Sequence, residues 1–503
     1  MPAMLEYESR TGLRPAVALP LLIAALTLGY FMFKPIYNIW FHPLRKYPGP
    51  RLWAMTRIPY HKAFVSGLAH KRILELHEQY GDIVRIAPDQ LSYLTPEAWK
   101  EIMGHRKNGS GENGKDPLFY HSSRGSIIGS DKANHSRFRR ILSHGFSAQT
   151  MLDQQPLICS YVDLFIRRMH EASEGGAGPI DIAAWFNYTT FDIIGDLAFG
   201  EPFDCLRLSD YHPWIAVIFA SLKQMTMLAS LRRFIGNIDS VITTLKPSAV
   251  SKRKEHAALV KAKVDRRLAR TDPRPDFMSA MLKKDGQQKL TREEIDENSR
   301  VLIIAGSETT ATALSGAVFF LGNHPDVLRR LAAEVRTSFS TEDEIDLLSV
   351  QRLKYLTAVI EESLRMYPPV AGALPRRTQS GGDFICGQFV PEGTILDIWQ
   401  WPMYRSPKNF ALPNEFVPER WLDQDPRFAN DRKECFQPFS HGPRNCIGKN
   451  LAYAEMRLLL CRFIWNFDLR LDEASKDWMD NNRLYTLWEK GPLKIHLTPR
   501  KVE

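Results

Sequence analysis

Between Leu290 and Pro325 the sequence demands one long continuous helix, and little else in the chain is as restrictive. Thr291 and Glu294 stand at the spacing of a capping box, in which side chain and backbone satisfy each other at a helix start. VLIIAGSETTATALSGAVFFLG follows, and Pro325 closes the pattern because it cannot continue a helix. The run is about thirty residues, roughly 45 Å at the rise of an α-helix. Its middle is apolar on every side, which predicts a helix that crosses a core. A core that deep needs a large body around it. The chain has 503 residues, 44% apolar and 24% charged, which is a globular balance and excludes a disordered chain. No fixed-period repeat or long low-complexity tract interrupts it. A second helix is expected over about 351 to 366, ending at Pro368-Pro369. A third is expected after Cys446, through NLAYAEMRLLLCRFIWNF. Between these two, Asp383 to Leu396 alternates apolar residues with Gly and Pro, the mark of short strands. The expected fold class is mainly α with a small β region.

Residues 15–33, PAVALPLLIAALTLGYFMF, carry no charge. A spanning helix needs about 20 apolar residues, so this run suffices as a transmembrane anchor. A cleaved signal peptide is the alternative, but Lys34-Pro35-Ile36 follows where a small-x-small cleavage site would stand. Glu6, Glu8, Arg10 and Arg14 precede the run, and Lys34, Arg45, Lys46 and Arg51 follow it. The positive excess after the run places the body in the cytosol. Three prolines in Pro43-Leu-Arg-Lys-Tyr-Pro48-Gly-Pro50 read as a stiff spacer. The expected organisation is a lumenal tail over 1–14, the anchor over 15–33, a proline-rich linker over 34–50 and one catalytic body over 51–503. Six cysteines, none at metal-ligand spacing, fit a reducing compartment. The net charge of +9 is either ordinary surface variation or complementarity to an anionic membrane or an acidic protein partner. Nucleic acid ranks last, because zinc-finger spacing and basic-aromatic modules are absent.

The chemistry concentrates in Phe439-Ser-His-Gly442-Pro-Arg444-Asn-Cys446-Ile-Gly448. A thiolate that ligates iron must be ionised, held rigidly and supplied with modest hydrogen-bond donors. Gly442 and Gly448 permit tight turns. The helix expected just after Cys446 puts its dipole and free N–H groups near the sulfur. Phe439 can shield the sulfur from water, and Arg444 can pair with a carboxylate of a cofactor. For a lone cysteine, a buried free thiol would be the better reading; the ten-residue pattern favours the ligand, Cys446.

This pattern, F-x-x-G-x-R-x-C-x-G, is similar to the heme-binding signature of the cytochrome P450 family. Four further motifs stand in the family's order, and the resemblance runs from about residue 35 to the end. With the PERW and FSHGPRNCIG wording it looks closest to fungal microsomal members of secondary metabolism. Ala305-Gly306-Ser307-Glu308-Thr309-Thr310 lies mid-helix. Gly306 would let a flat cofactor approach the backbone, and Glu308 beside Thr309 would relay protons in oxygen activation. The alternative is a Glu308 paired elsewhere, with the hydroxyls satisfied by helical carbonyls. Glu362 and Arg365 share one helix face, and Arg420 of Pro418-Glu-Arg-Trp421 can complete a buried cluster of structural purpose. His135 and Arg139, one turn apart, together with Arg376 and Arg444, match positions that meet the heme propionates in the family; a Trp is common where His135 stands. By family position the substrate would face Ile127, Ile128, Ile304, Ala305, Thr309, Val370, Ala371 and Leu374. All but Thr309 are apolar, which implies a hydrophobic substrate.

The resemblance implies a cytochrome P450 fold behind one transmembrane helix, with heme b held by Cys446. It implies oxygenation of an organic substrate. With no convincing dinucleotide-binding G-x-G-x-x-G, electrons would come from a separate NADPH–cytochrome P450 reductase, with cytochrome b5 as a further donor. The implied location is the endoplasmic reticulum membrane, in contact with its lipid. Two rivals are a heme-thiolate enzyme that rearranges an oxygenated substrate, and a non-catalytic heme-binding sensor.

Overall fold

The computed structural model describes residues 15–105, 111–173, 178–236, 247–270, 274, 276–282 and 289–500. The expected tail over 1–14 lies outside the described residues.

Helix α1 (Pro15–Trp40) is longer than the uncharged run that announced it and continues through Lys34 and Pro35. Its stretch Ala18–Trp40 is apolar enough to span a bilayer, and no part of its most apolar window is buried. The expected spacer is not free. Leu44 and Tyr47 are buried, Tyr47 Oη donates to the Phe389 carbonyl at 3.2 Å, and Arg85 N donates to the Pro48 carbonyl at 2.7 Å. A proline offers no N–H but keeps its carbonyl, so an extended Pro-rich strip can dock along a sheet edge by accepting.

Next come α2 (Ile58–Val65), α3 (Ala69–Tyr80), β1 (Ile83–Ala87), β2 (Gln90–Tyr93) and β3 (Gly114–Lys115). The helical body follows as α4 (Lys132–Ser143), α5 (Ala148–Ser173), β4 (Ile180–Asp181), α6 (Ile182–Phe199), α7 (Pro213–Arg232) and α8 (Pro247–Ala269). Side-chain caps start two of these. Asp131 accepts from Asn134 N at the head of α4, and Asp181 accepts from Ala183 N and Ala184 N at the head of α6.

Helix α9 (Arg292–Asn323) is the long helix, 32 residues with the capping box of Thr291 and Glu294 in place. It also passes the length and hydropathy test for a membrane span, but most of it is buried in the fold, so it is a core helix. α6 is its main neighbour, joined by α11 (Lys354–Met366) and α12 (Lys449–Asn466); α10 (Pro325–Ser338) lies between α9 and α11 in the chain. The strands β6 (Asp383–Ile385), β7 (Gln388–Val390) and the first half of β8 (Ile395–Ile398) fall in the stretch expected to be extended, while β5 (Arg376–Arg377) lies ahead of it. The largest sheet has the order β1-β2-β8-β5-β3, with β2 and β8 parallel and its other pairs antiparallel. The chain finishes through β9 (Phe467–Leu471), the hairpin β10 (Arg483–Tyr485) and β11 (Leu487–Glu489), and β12 (Lys494–Pro499).

Candidate active site

Cys446 sits in a loop closed by its own backbone: Cys446 N donates to the Phe439 carbonyl at 2.8 Å. Gly448 caps α12 three residues before Leu451, so the sulfur lies just ahead of that helix. Gly442 has a φ of 77°, and a Cβ there would meet the Met103 carbonyl oxygen at 2.1 Å, so only glycine fits. Ser440 carries a left-handed φ of 61° without being glycine, a local strain of the kind that clusters at functional loops. Cys446 is a free cysteine with open surface. Its thiol is nevertheless pushed up by burial, against the pull of the Gly448 N–H, Arg139 and Lys449. Both facts hold together if the opening faces an interior space rather than bulk water. The Phe439 ring packs at 5.0 Å from Tyr453, on the outer side of the loop.

A second opening lies on α9. Ala305 is exposed, and Val301, Ile304, Gly306 and Thr309 are half-exposed, between buried residues on either side. At spacings of three and four residues these side chains form one stripe. Gly306 does not belong to it: a Cβ there would come within 2.6 Å of Ile194 Cδ1 on α6. Gly306 keeps open surface beside Ala305, while the room left by its missing side chain is taken by α6.

Thr309 Oγ1 donates to the Ala305 carbonyl at 2.6 Å. Glu308 does not reach it. Its carboxylate is ion-paired with Lys490 and accepts from Thr312 Oγ1 at 3.2 Å. Adjacent helical residues point about 100° apart, so the acid and the alcohol expected to act as a pair face different surroundings.

Of the four side chains expected to meet anionic carboxylates, three stay together. Arg444 is 3% exposed, pairs with Glu112 at 2.6 Å and donates to the Ser130 carbonyl at 2.8 Å. Arg376 is buried and its Nε meets Met103 Sδ at 3.2 Å. His135 is buried, and burial with Arg444 and Arg139 pushes its imidazole down to about 4, so it is neutral at neutral pH. Arg139 turns instead to Asn445, whose carbonyl and side-chain oxygens accept from it. His135 and Arg139 therefore do not converge on one point. Lys115, which carried no sequence signal, joins the cluster: β3 places it opposite Arg376, and burial, Arg376 and Arg444 hold its ammonium well below the usual range. Two arginines, Arg376 and Arg444, share one carboxylate, Glu112, among the described residues, with the Lys115 amine beside them. The surplus of buried positive charge fits a ligand that brings its own carboxylates.

The structural cluster is closed. Arg365 pairs with Glu362 at 2.8 Å, and both are fully buried. Arg420 reaches Glu362 at 3.1 Å, Trp421 Nε1 donates to it at 3.0 Å, and Val417 N at 2.9 Å. A second carboxylate, Asp431, holds Arg420 at 2.6 Å. Only its place eleven residues on from Arg420, in a loop, identifies it, and no spacing rule reaches that far.

Of the expected substrate-facing residues, Ile304, Ala305, Thr309, Val370, Leu374 and Ile128 keep open surface. Ile127 and Ala371 do not: both are buried. Ile127 N donates to Asn298 Oδ1 at 2.8 Å, and the Ala371 carbonyl accepts from Trp401 N at 3.1 Å. Beside the cysteine loop an open concavity of about 970 Å³ is lined by Phe439, Tyr453, three cationic side chains, Lys354, Lys449 and Arg457, two histidines, His105 and His441, and one carboxylate, Glu361. Neither Cys446 nor any residue of α9 lines it.

A family model described as Cytochrome P450 matches residues 47–497. The chain is 48% identical to a trichothecene C-15 hydroxylase of Fusarium sporotrichioides, over 94% of this chain and 96% of that protein. It is 45% identical to a cytochrome P450 monooxygenase of Aspergillus oryzae, over 94% and 96%. It is likewise 45% identical to an averantin hydroxylase of Dothistroma septosporum, over 96% and 91%.

Proposed function

The chain belongs to the cytochrome P450 family, and from that premise we propose that Cys446 is the axial thiolate ligand of its heme b. The enzyme is a heme-thiolate monooxygenase, with relatives in fungal secondary metabolism, that oxygenates a hydrophobic substrate with electrons from a reductase. The observation that carries the residue assignment is the pair of interior openings, at Cys446 and along the Val301–Thr309 stripe of α9. The heme would lie between them, its carboxylates among Arg376, Arg444, Lys115 and neutral His135. When bound, it supplies the activation of dioxygen.

The chain's own residues do the rest. Gly442 lets the loop close tightly enough to fix the sulfur. The Gly448 N–H and Arg139 favour its anionic form. Apolar Ile304, Ala305, Val370 and Leu374 bind the substrate and exclude water, as an organic ligand requires. Thr309 presents the hydroxyl nearest that space, and Glu308 supplies the acid for proton transfer. Glu362, Arg365 and Arg420 hold the fold behind the loop and touch no reacting atom.

The hydroxylases among the relatives favour insertion of oxygen into a C–H bond of a preformed apolar scaffold. The rearrangement reading needs no acid on α9, so the retained Glu308 speaks against it, and a sensor has no use for a basic docking concavity. NADPH–cytochrome P450 reductase, or cytochrome b5, docks in that concavity, where the excess positive charge meets an acidic flavin partner. Helix α1 anchors the enzyme in the endoplasmic reticulum membrane with its body in the cytosol.

The test is the absorption spectrum of the reduced carbon monoxide complex. The parent protein should show the red-shifted Soret band of a thiolate-ligated heme and Cys446→Ala should lose it. The same band in the variant would remove Cys446 from the iron.

A further inference from the structure

Glu308 is held by a part of the chain remote from its own helix. Lys490 pairs with its Oε1, and the two side chains are 5% and 2% exposed. Lys490 also donates to Thr312 Oγ1 at 2.7 Å, and that hydroxyl donates to the same Oε1. Glu308 Oε2 is buried and meets no hydrogen-bond partner among the described residues. Lys490 stands at the foot of the β10–β11 hairpin, where its backbone is fixed: Gly491 N donates to Asn482 Oδ1 at 3.1 Å, and Asn482 Nδ2 donates to Tyr367 Oη at 2.8 Å. The hairpin borders the substrate-facing segment, since a Cβ on Gly372 would lie 3.7 Å from Leu484 Cδ2.

The other titratable groups on the surrounding elements are neutral or turned away. Burial raises Tyr188 of α6, Tyr211 ahead of α7 and Tyr367 after α11. Burial pushes Glu455 of α12, which faces Thr310, up to about 8. Asp192 of α6 accepts from the backbone N–H groups of Phe203, Cys205 and Leu206, and Asp196 pairs with Arg274. On α11, Glu362 is engaged by Arg365 and Arg420, and Glu361 accepts from Tyr453. Lys490 is thus the charge that faces Glu308 among the described residues. A buried pair of this kind does not stabilise a fold by itself, because two desolvated charges cost about as much as their attraction returns. Its presence calls for another reason.

We propose that Lys490 is a positioning residue: it holds Glu308 as an ionised carboxylate with Oε1 fixed, leaving Oε2 as the atom that takes up a proton and passes it on. Each proton that Oε2 takes up from water it gives up again, so the carboxylate and its pairing with Lys490 are restored. The proposal rests on the reading that Glu308 serves the oxygen chemistry.

The sign of the pH effect follows from burial. Burial raises the Glu308 carboxyl, and Lys490 opposes that rise. Without Lys490 the carboxyl climbs further above its unfolded value of about 4.3. A group raised on folding stabilises at low pH and loses that contribution as pH rises toward its folded value. Lys490→Met should therefore melt at a temperature that falls more steeply with rising pH than the parent's. Lys490→Met/Glu308→Gln should lose the extra slope, and Lys490→Arg should restore the parent profile.

The decisive measurement is infrared, on the heme-loaded full chain at neutral pH. The difference between Lys490→Met and Lys490→Met/Glu308→Gln should contain the carbonyl band of a protonated carboxylic acid, which the difference between parent and Glu308→Gln should lack. With the reductase and NADPH, Lys490→Met should release several-fold more peroxide per NADPH than the parent. Should Lys490→Met not accumulate folded, Lys490→Gln carries the same readouts. No acid band in the first difference, with parallel melting profiles, would overturn the proposal. An acid band there, with peroxide per NADPH unchanged in Glu308→Gln, would instead leave Lys490's hold intact and remove Glu308 from the oxygen chemistry.

Discussion

Thr309 is a single hydroxyl at the edge of an apolar stripe, and it donates to its own helix at Ala305. Its proposed role needs that hydroxyl to turn toward bound oxygen, a rotation of one χ angle. Thr309→Ala should keep its heme spectrum while product per NADPH falls and peroxide rises; an unchanged yield would make Thr309 structural. Arg376 differs in kind, because its partner is a sulfur and its charge lies among other cations. Arg376→Leu should fold, since it removes a buried charge, yet lose heme on dilution faster than the parent. Equal retention would take Arg376 out of the cofactor site. At this scale the sequence was most legible where chemistry fixes a short local pattern, as in the cysteine loop, and least where a partner comes from far along the chain. Lys490 and Lys115 sit in unremarkable polar surroundings of the sequence, and only folding brings them to Glu308 and Arg376. The separation of Glu308 from Thr309 is the alternative that the sequence left open, with Glu308 paired elsewhere and the Thr309 hydroxyl on a helical carbonyl; its partner, Lys490, was what the sequence hid.

Among the elements, α9 was the most readable, since capping box, apolar length and terminal proline all agree on it. The purpose of its glycine was not readable, because a missing side chain is the same letter whether it makes room for a ligand or for a helix. Gly306→Ala would drive a methyl group into Ile194, and we expect a loss of about 1–3 kcal/mol, the range for overpacking a tight core. Ile194→Ala removes both atoms in the way, Cδ1 and Cγ1, so the double variant should lose less in thermal denaturation than the two single variants together. Additive losses would show that the α6–α9 approach is not what requires glycine. The buried cluster behind the cysteine loop has the opposite character. Glu362→Ala would strand two fully buried arginines, one of them retaining Asp431. Breaking such a network at one member costs about 3–5 kcal/mol, and little heme-loaded protein should accumulate. Normal accumulation would show that the cluster is dispensable.

For the whole molecule, orientation is testable by sugar attachment. Of the sequons at Asn108, Asn134 and Asn187, the first lies outside the described residues, and Asn187 is buried at 4% exposure. Asn134 is the half-exposed reporter on a folded surface. With the body in the cytosol it should show no mass shift on glycosidase treatment, and a shift would reverse the topology. Membrane attachment should weaken on removal of residues 1–33 and further on removal of 1–40, because α1 runs on to Trp40. The docking of Leu44 and Tyr47 against the body adds something that a flexible tether would not: the catalytic body is seated on its anchor with little slack. With α1 in a bilayer, as proposed, its working solvent would be the adjoining leaflet, and the relevant concentration of an oily substrate its mole fraction there. Adding inert phospholipid to a fixed amount of enzyme and substrate should raise the apparent KM in bulk units by simple dilution, while the value per mole of lipid stays constant.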